Sequence, residues 1–105
     1  MRLLQLNREN YDQEVINKDG QVLVLFESLQ NAECRAVSQI LKEIAMEAIP
    51  VSVATVNTDW NPKFSASHKV DQIPTLILYK DGMEQTRVLG LHSKEEILSF
   101  LCVQN

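Results

Sequence analysis

Cysteine is scarce in this chain: Cys34 and Cys102 are the only two in 105 residues, and their separation gives no C-x-x-C metal-ligand pair. In a reducing cytosol both are expected as thiols. Long apolar runs are lacking as well, since no stretch approaches the roughly 18 residues needed to span a bilayer. The opening Met1-Arg2-Leu3-Leu4-Gln5-Leu6 has too few apolar residues for a signal peptide, so the cytoplasm is the expected compartment. Basic clusters are also missing: 10 Lys and Arg are scattered singly among 14 Asp and Glu, for a formal net charge of −4. Nucleic acid and membrane surfaces are therefore poor candidate partners.

Glycine and proline number three each, and no repeat, low-complexity tract or linker-like run breaks the chain. Residues 1–105 are expected to form one domain around one core. A composition of 45% hydrophobic and 23% charged residues is that of an ordinary globular chain and excludes extensive disorder.

Leu3 to Leu6 suggest a short strand, and Tyr11, Val15 and Ile16 fall at helical spacing before Lys18-Asp19-Gly20. The five-residue apolar run Val22 to Phe26 has the pattern of a strand buried on both faces. Val37, Ile40, Leu41, Ile44, Ala45 and Ala48 then repeat every three or four residues, marking an amphipathic helix that Pro50 ends. Val51, Val53, Thr55 and Val56 suggest a third strand, and Asn61-Pro62 a helix cap with proline at the first helical position. Thr75 to Tyr79 is again strand-like. Asp81-Gly82 predicts a tight hairpin, because both central residues of that turn need positive φ, with Glu84 to Leu89 returning antiparallel. Ser93 and Glu96 form a capping-box pattern ahead of Ile97, Leu98 and Leu101. The predicted order is β-α-β-α-β-α-β-β-α, an α/β fold with a closing hairpin.

That order, with Ile73-Pro74-Thr75 opening the fourth strand, Lys80-Asp81-Gly82 at the hairpin and Gly90 before the last helix, resembles the thioredoxin family. Val24-Leu25-Phe26 is similar to the strand before the family's active site, and Val56-Asn57-Thr58-Asp59 with Asn61-Pro62 to the segment after its third strand. The resemblance covers nearly the whole chain. It implies a thioredoxin fold, a central mixed five-stranded sheet flanked by about four helices, and a cis bond between Ile73 and Pro74. It also implies a groove for an extended protein or peptide segment, lined here by Asn31, Ala32, Gln72, Ile73, Pro74, Gly90 and Leu91.

The active-site motif departs from the family's W-C-G-P-C. The aligned residues are Gln30-Asn31-Ala32-Glu33-Cys34, leaving N-A-E-C where the resemblance expects C-G-P-C. Disulfide exchange needs one thiolate to attack and a second thiol to resolve, and the Asn31 amide does neither. The family's buried Asp and its Lys partner align with Leu25 and Thr55, which implies a quiet apolar core in place of a proton relay.

Asn31 also reads as a helix N-cap, with Glu33 in the favourable first turn. Cys34 matches the family's second cysteine and reads as an inert, half-buried thiol; the alternative is a monothiol that exchanges with disulfides or forms a glutathione adduct. Cys102 reads as core packing near the end of the last helix, too far from Cys34 for a bridge. His68 and His92 read as surface or loop histidines, Trp60 as packing against the sheet edge. No metal or cofactor is expected. The resulting expectation is a non-catalytic binding module, with a monothiol redox protein and a structural subunit as alternatives.

Overall fold

A computed structural model describes residues 3–101. Its five strands are β1 (Leu4–Leu6), β2 (Gln21–Glu27), β3 (Val51–Asn57), β4 (Thr75–Lys80) and β5 (Met83–Leu89). They lie side by side in the order β1-β3-β2-β4-β5. β1, β3 and β2 run parallel, while β4 is antiparallel to β2 and β5 to β4, so the sheet is mixed as expected.

β2 occupies the centre, and its seven residues are all buried. Successive side chains of a strand point to opposite faces, and the two halves of the core follow that period. Val22, Val24 and Phe26 join Leu6, Tyr11, Val15, Val56 and Ile77 on one face. Leu23 and Leu25 join Val37, Leu41, Ile44, Leu76 and Ile97 on the other. The first face is covered by a π-helical turn (Asp12–Ile16) and α2 (Pro62–Ser67), the second by α1 (Ala32–Ala45) and α3 (Lys94–Phe100).

Local chemistry sets the element ends. Asp81 and Gly82 both have positive φ, at 50° and 83°, and Gly20 donates to Asp81 Oδ1 at 2.7 Å, tying the hairpin to the loop before β2. The capping box at α3 is complete: Glu96 N donates to Ser93 Oγ at 3.1 Å and Ser93 N to Glu96 Oε1 at 3.0 Å.

Two local expectations change. α1 ends at Ala45 with Met46 as its cap, short of Ala48, because Met46 N and Glu47 N turn back to Glu43 O and Ile44 O, tightening the last turn. Asn61 does precede α2, yet its side chain caps no helical N–H; its amide donates instead to Asn57 O at 2.9 Å. Cys102 lies outside the described residues. Among those described, no helix is long and apolar enough to cross a membrane.

Candidate functional site

The register brings the candidate residues to one end of the sheet. Phe26 on β2 pairs with Thr75 on β4, Thr75 pairs with Leu89 on β5, and Glu27 pairs with Asn57 on β3. The loops that follow β2, β3 and β5, and the loop that leads into β4, therefore share an edge. Gly90 N donates to Pro74 O at 2.8 Å, joining the 72–74 and 90–91 loops directly. Thr75 Oγ1 donates to Gln72 O at 2.6 Å, bracing the same turn. The Ile73–Pro74 peptide bond is cis. Pro74 is buried, Ile73 half-buried, Gln72 exposed, and Leu91 stands 53% exposed.

Asn31 and Ala32 open α1 at this end. Asn31 is its N-cap, accepting at Oδ1 from Cys34 N at 2.9 Å, which satisfies a helical amide that would otherwise lack a partner. The Asn31 side chain is thus engaged in holding the helix.

Cys34 is wholly buried, at 0% exposure, rather than half-buried. Burial pushes its thiol pKa up; the Ser28 backbone works against that, while the charges of Glu27, Glu33 and Asp59 add to it. Alkylation by iodoacetamide at neutral pH is therefore expected to be slower than for free cysteine, with a midpoint on the alkaline side of the free thiol. Fast labelling at pH 7 would contradict the burial.

The core beneath this loop is not wholly apolar, which corrects the expectation drawn from Leu25 and Thr55. Both are buried as expected, but so is Glu27, one strand period after Leu25, with only 4% exposure. Neither Glu27 Oε1 nor Thr55 Oγ1 has a hydrogen-bond partner among the described residues. Burial raises the Glu27 pKa above the usual carboxylate range, and the nearby Thr55 hydroxyl and Lys42 charge pull it part of the way back.

A raised carboxyl pKa means that the folded chain holds the proton more tightly than the unfolded one. Its stabilising contribution is complete below about pH 4.3 and is lost as pH rises through the raised value. Glu27→Gln is accordingly expected to stabilise the chain at pH 7, with the gain vanishing towards pH 4. Urea midpoints at the two pH values check this, and a natural chain more stable than the variant at pH 7 would contradict it.

Trp60 does not pack against the sheet edge: it is 75% exposed. The Asn57 side chain accepts from Asp59 N at 2.9 Å and Trp60 N at 3.3 Å, a local turn that directs the indole outward. His68 is no surface residue either. It is half-buried, with its ring 4.8 Å from Tyr11 and 4.6 Å from Phe64 by centroid, and burial lowers its pKa. His92 is partly covered, with Nε2 3.0 Å from Leu89 O and its ring against Phe100. Among the described residues no group of three or more His, Cys, Asp or Glu is placed to hold a metal.

Comparison with known proteins fits this geometry. The family model described as Thioredoxin matches residues 2–102. A thioredoxin from Chlamydia pneumoniae is 38% identical over 96 residues, covering 91% of this chain and 92% of that one. A thioredoxin from Pyropia yezoensis is 36% identical over 102 residues, covering 96% and 95%. Among solved structures, a mutant thioredoxin from Halobacterium salinarum NRC-1 superposes with a TM-score of 0.86 at 22% identity, over 95% of this chain and 88% of that one, a likeness of fold. With a family-wide match over almost the full length and the sheet order already established, the chain belongs to the thioredoxin family.

Proposed function

We propose that this thioredoxin-family protein binds an extended segment of another protein in the groove formed by Asn31, Ala32, Gln72, Ile73, Pro74, Gly90 and Leu91, without reducing it. The observation that carries this reading is at the start of α1. The first position of the family's dithiol motif holds an amide, and that amide is occupied as a helix cap. Cys34, the remaining thiol near the groove, lies at 0% exposure.

The backbone of Ile73 makes no hydrogen bond among the described residues, which leaves a donor and an acceptor free for strand-like pairing with a peptide. The exposed Leu91 adds an apolar contact beside it. The chain's charge of −4 favours neither phosphate backbones nor anionic membranes as partners. A second reading, a monothiol protein acting through Cys34, draws support from relatives that carry the name thioredoxin. The elevated thiol pKa weighs against it.

Crosslinking the natural chain and the double variant Ile73→Asp, Leu91→Asp to cellular proteins separates the readings. A groove binder loses its set of partners in the double variant and keeps it in Cys34→Ser. Partners lost in Cys34→Ser and retained in the groove variant would assign the role to the thiol instead.

A further inference from the structure

On the α1 side of the sheet, alongside the middle and last turn of that helix, a pocket of about 260 Å³ is lined by Glu27, Thr55, Ser38, Lys42 and Gln5, with Leu3 and Leu29 as apolar walls. Its volume falls just below the roughly 300–1,000 Å³ of drug-sized sites. Its size suits a small metabolite. Two of its lining side chains, Glu27 and Thr55, are more than nine-tenths buried; neither Glu27 Oε1 nor Thr55 Oγ1 completes a well-formed hydrogen bond, although the Thr55 hydroxyl is near enough to Glu27 to pull its raised carboxyl pKa part of the way down. Buried polar groups so poorly matched are uncommon in folded proteins.

The charges in the lining are segregated by element. The carboxyl is Glu27 on β2, the ammonium is Lys42 on α1, and β1 and β3 contribute the neutral Gln5 and Thr55. Lys42 is close enough to act electrostatically on Glu27, yet no ion pair joins them. The thiol of Cys34, also on α1, feels the Glu27 charge.

We propose that this pocket binds a small aliphatic amino acid as its zwitterion, the ammonium taken by Glu27 and Thr55, the carboxylate met by Lys42, and the side chain seated against Leu3 and Leu29. The site is separate from the peptide groove and does not depend on that function. An ammonium group beside Glu27 favours its ionised form, so binding expels a proton wherever the free carboxyl is still protonated. Affinity then rises with pH through the Glu27 titration.

The test is titration calorimetry of the full chain with L-leucine, alongside isoamylamine, which lacks the carboxylate, and 4-methylvalerate, which lacks the ammonium. Saturable one-to-one leucine binding is expected, at least tenfold tighter than either analogue and at least tenfold weaker in Glu27→Gln and in Lys42→Met. Amide chemical-shift changes on the natural chain, confined to the neighbourhood of Gln5, Glu27, Ser38 and Thr55, locate the site whatever the stability of the variants. No saturable leucine binding, equal binding of leucine and isoamylamine, or shift changes centred elsewhere would each overturn the proposal.

Discussion

Phe26→Ala is expected to lower the stability of the fold by about 3–5 kcal/mol, the usual cost of deleting a buried aromatic ring. Phe26 has no exposed surface and sits on the central strand, between Val56 on β3 and Thr75 on β4. Its ring meets the cluster of Leu6, Tyr11, Val15 and Ile77, and lies 6.1 Å from His68 by centroid. The surrounding strands are hydrogen-bonded on both sides of β2, so the walls have little freedom to collapse into the space left behind. Against a typical total of 5–15 kcal/mol, the loss removes a large share of the stability. At about 4 °C or more per kcal/mol, the thermal midpoint should fall by at least about 12 °C. A shift below about 4 °C in a calorimetric melt would mean that the residue is not at the packing centre described here.

The second large effect concerns chemistry. Asn31→Cys is expected to gain disulfide reductase activity at least tenfold above the natural chain. The substitution places a thiol at the N-terminal end of α1, where unpaired helical amides favour a thiolate. That thiolate attacks one sulfur of a substrate disulfide, forming a mixed disulfide and releasing the first substrate thiolate. Cys34, three residues on, then attacks the sulfur of residue 31, forming the 31–34 disulfide and releasing the second substrate thiol. An external dithiol reduces the protein again.

Activity should remain modest for reasons visible in the structure. Losing the Asn31 cap costs roughly 0.5–2 kcal/mol of helix stability, and Cys34 must act from a buried position with an elevated pKa. A variant no more active than the natural chain, with Cys34 still reduced and accessible after unfolding, would show that the missing thiol is not the principal obstacle.

Much of this arrangement was legible in sequence because single local rules decided it. The five-residue apolar run of β2 demanded burial on both faces, and the odd and even residues divide between two cores accordingly. Asp81-Gly82 and Ser93 with Glu96 carry their turn and cap chemistry in their own side chains. Asn31 as a cap belongs with them.

What was not legible depended on tertiary cover. Glu27 looks like the polar end of a strand, yet the period of two places it on the face of Leu23 and Leu25, beneath α1. Counting that period one step past the apolar run was the available signal. Trp60 has the composition of a core residue, and its exposure follows from the Asn57 turn, whose side-chain bonds no hydrophobic pattern reports. His68 is the converse case: a polar residue at the end of a short helix, enclosed because Tyr11 arrives from the π-helical segment and Phe64 stands one turn earlier on the same helix.

The most direct measurement is an insulin reduction assay with dithiothreitol as electron source, run on the unaltered chain with Asn31→Cys beside it. The unaltered chain is expected to leave the rate at the dithiothreitol background, because Asn31 carries an amide where the family resemblance places the attacking cysteine. Catalytic reduction of insulin by that chain, abolished by Cys34→Ser, would contradict that expectation.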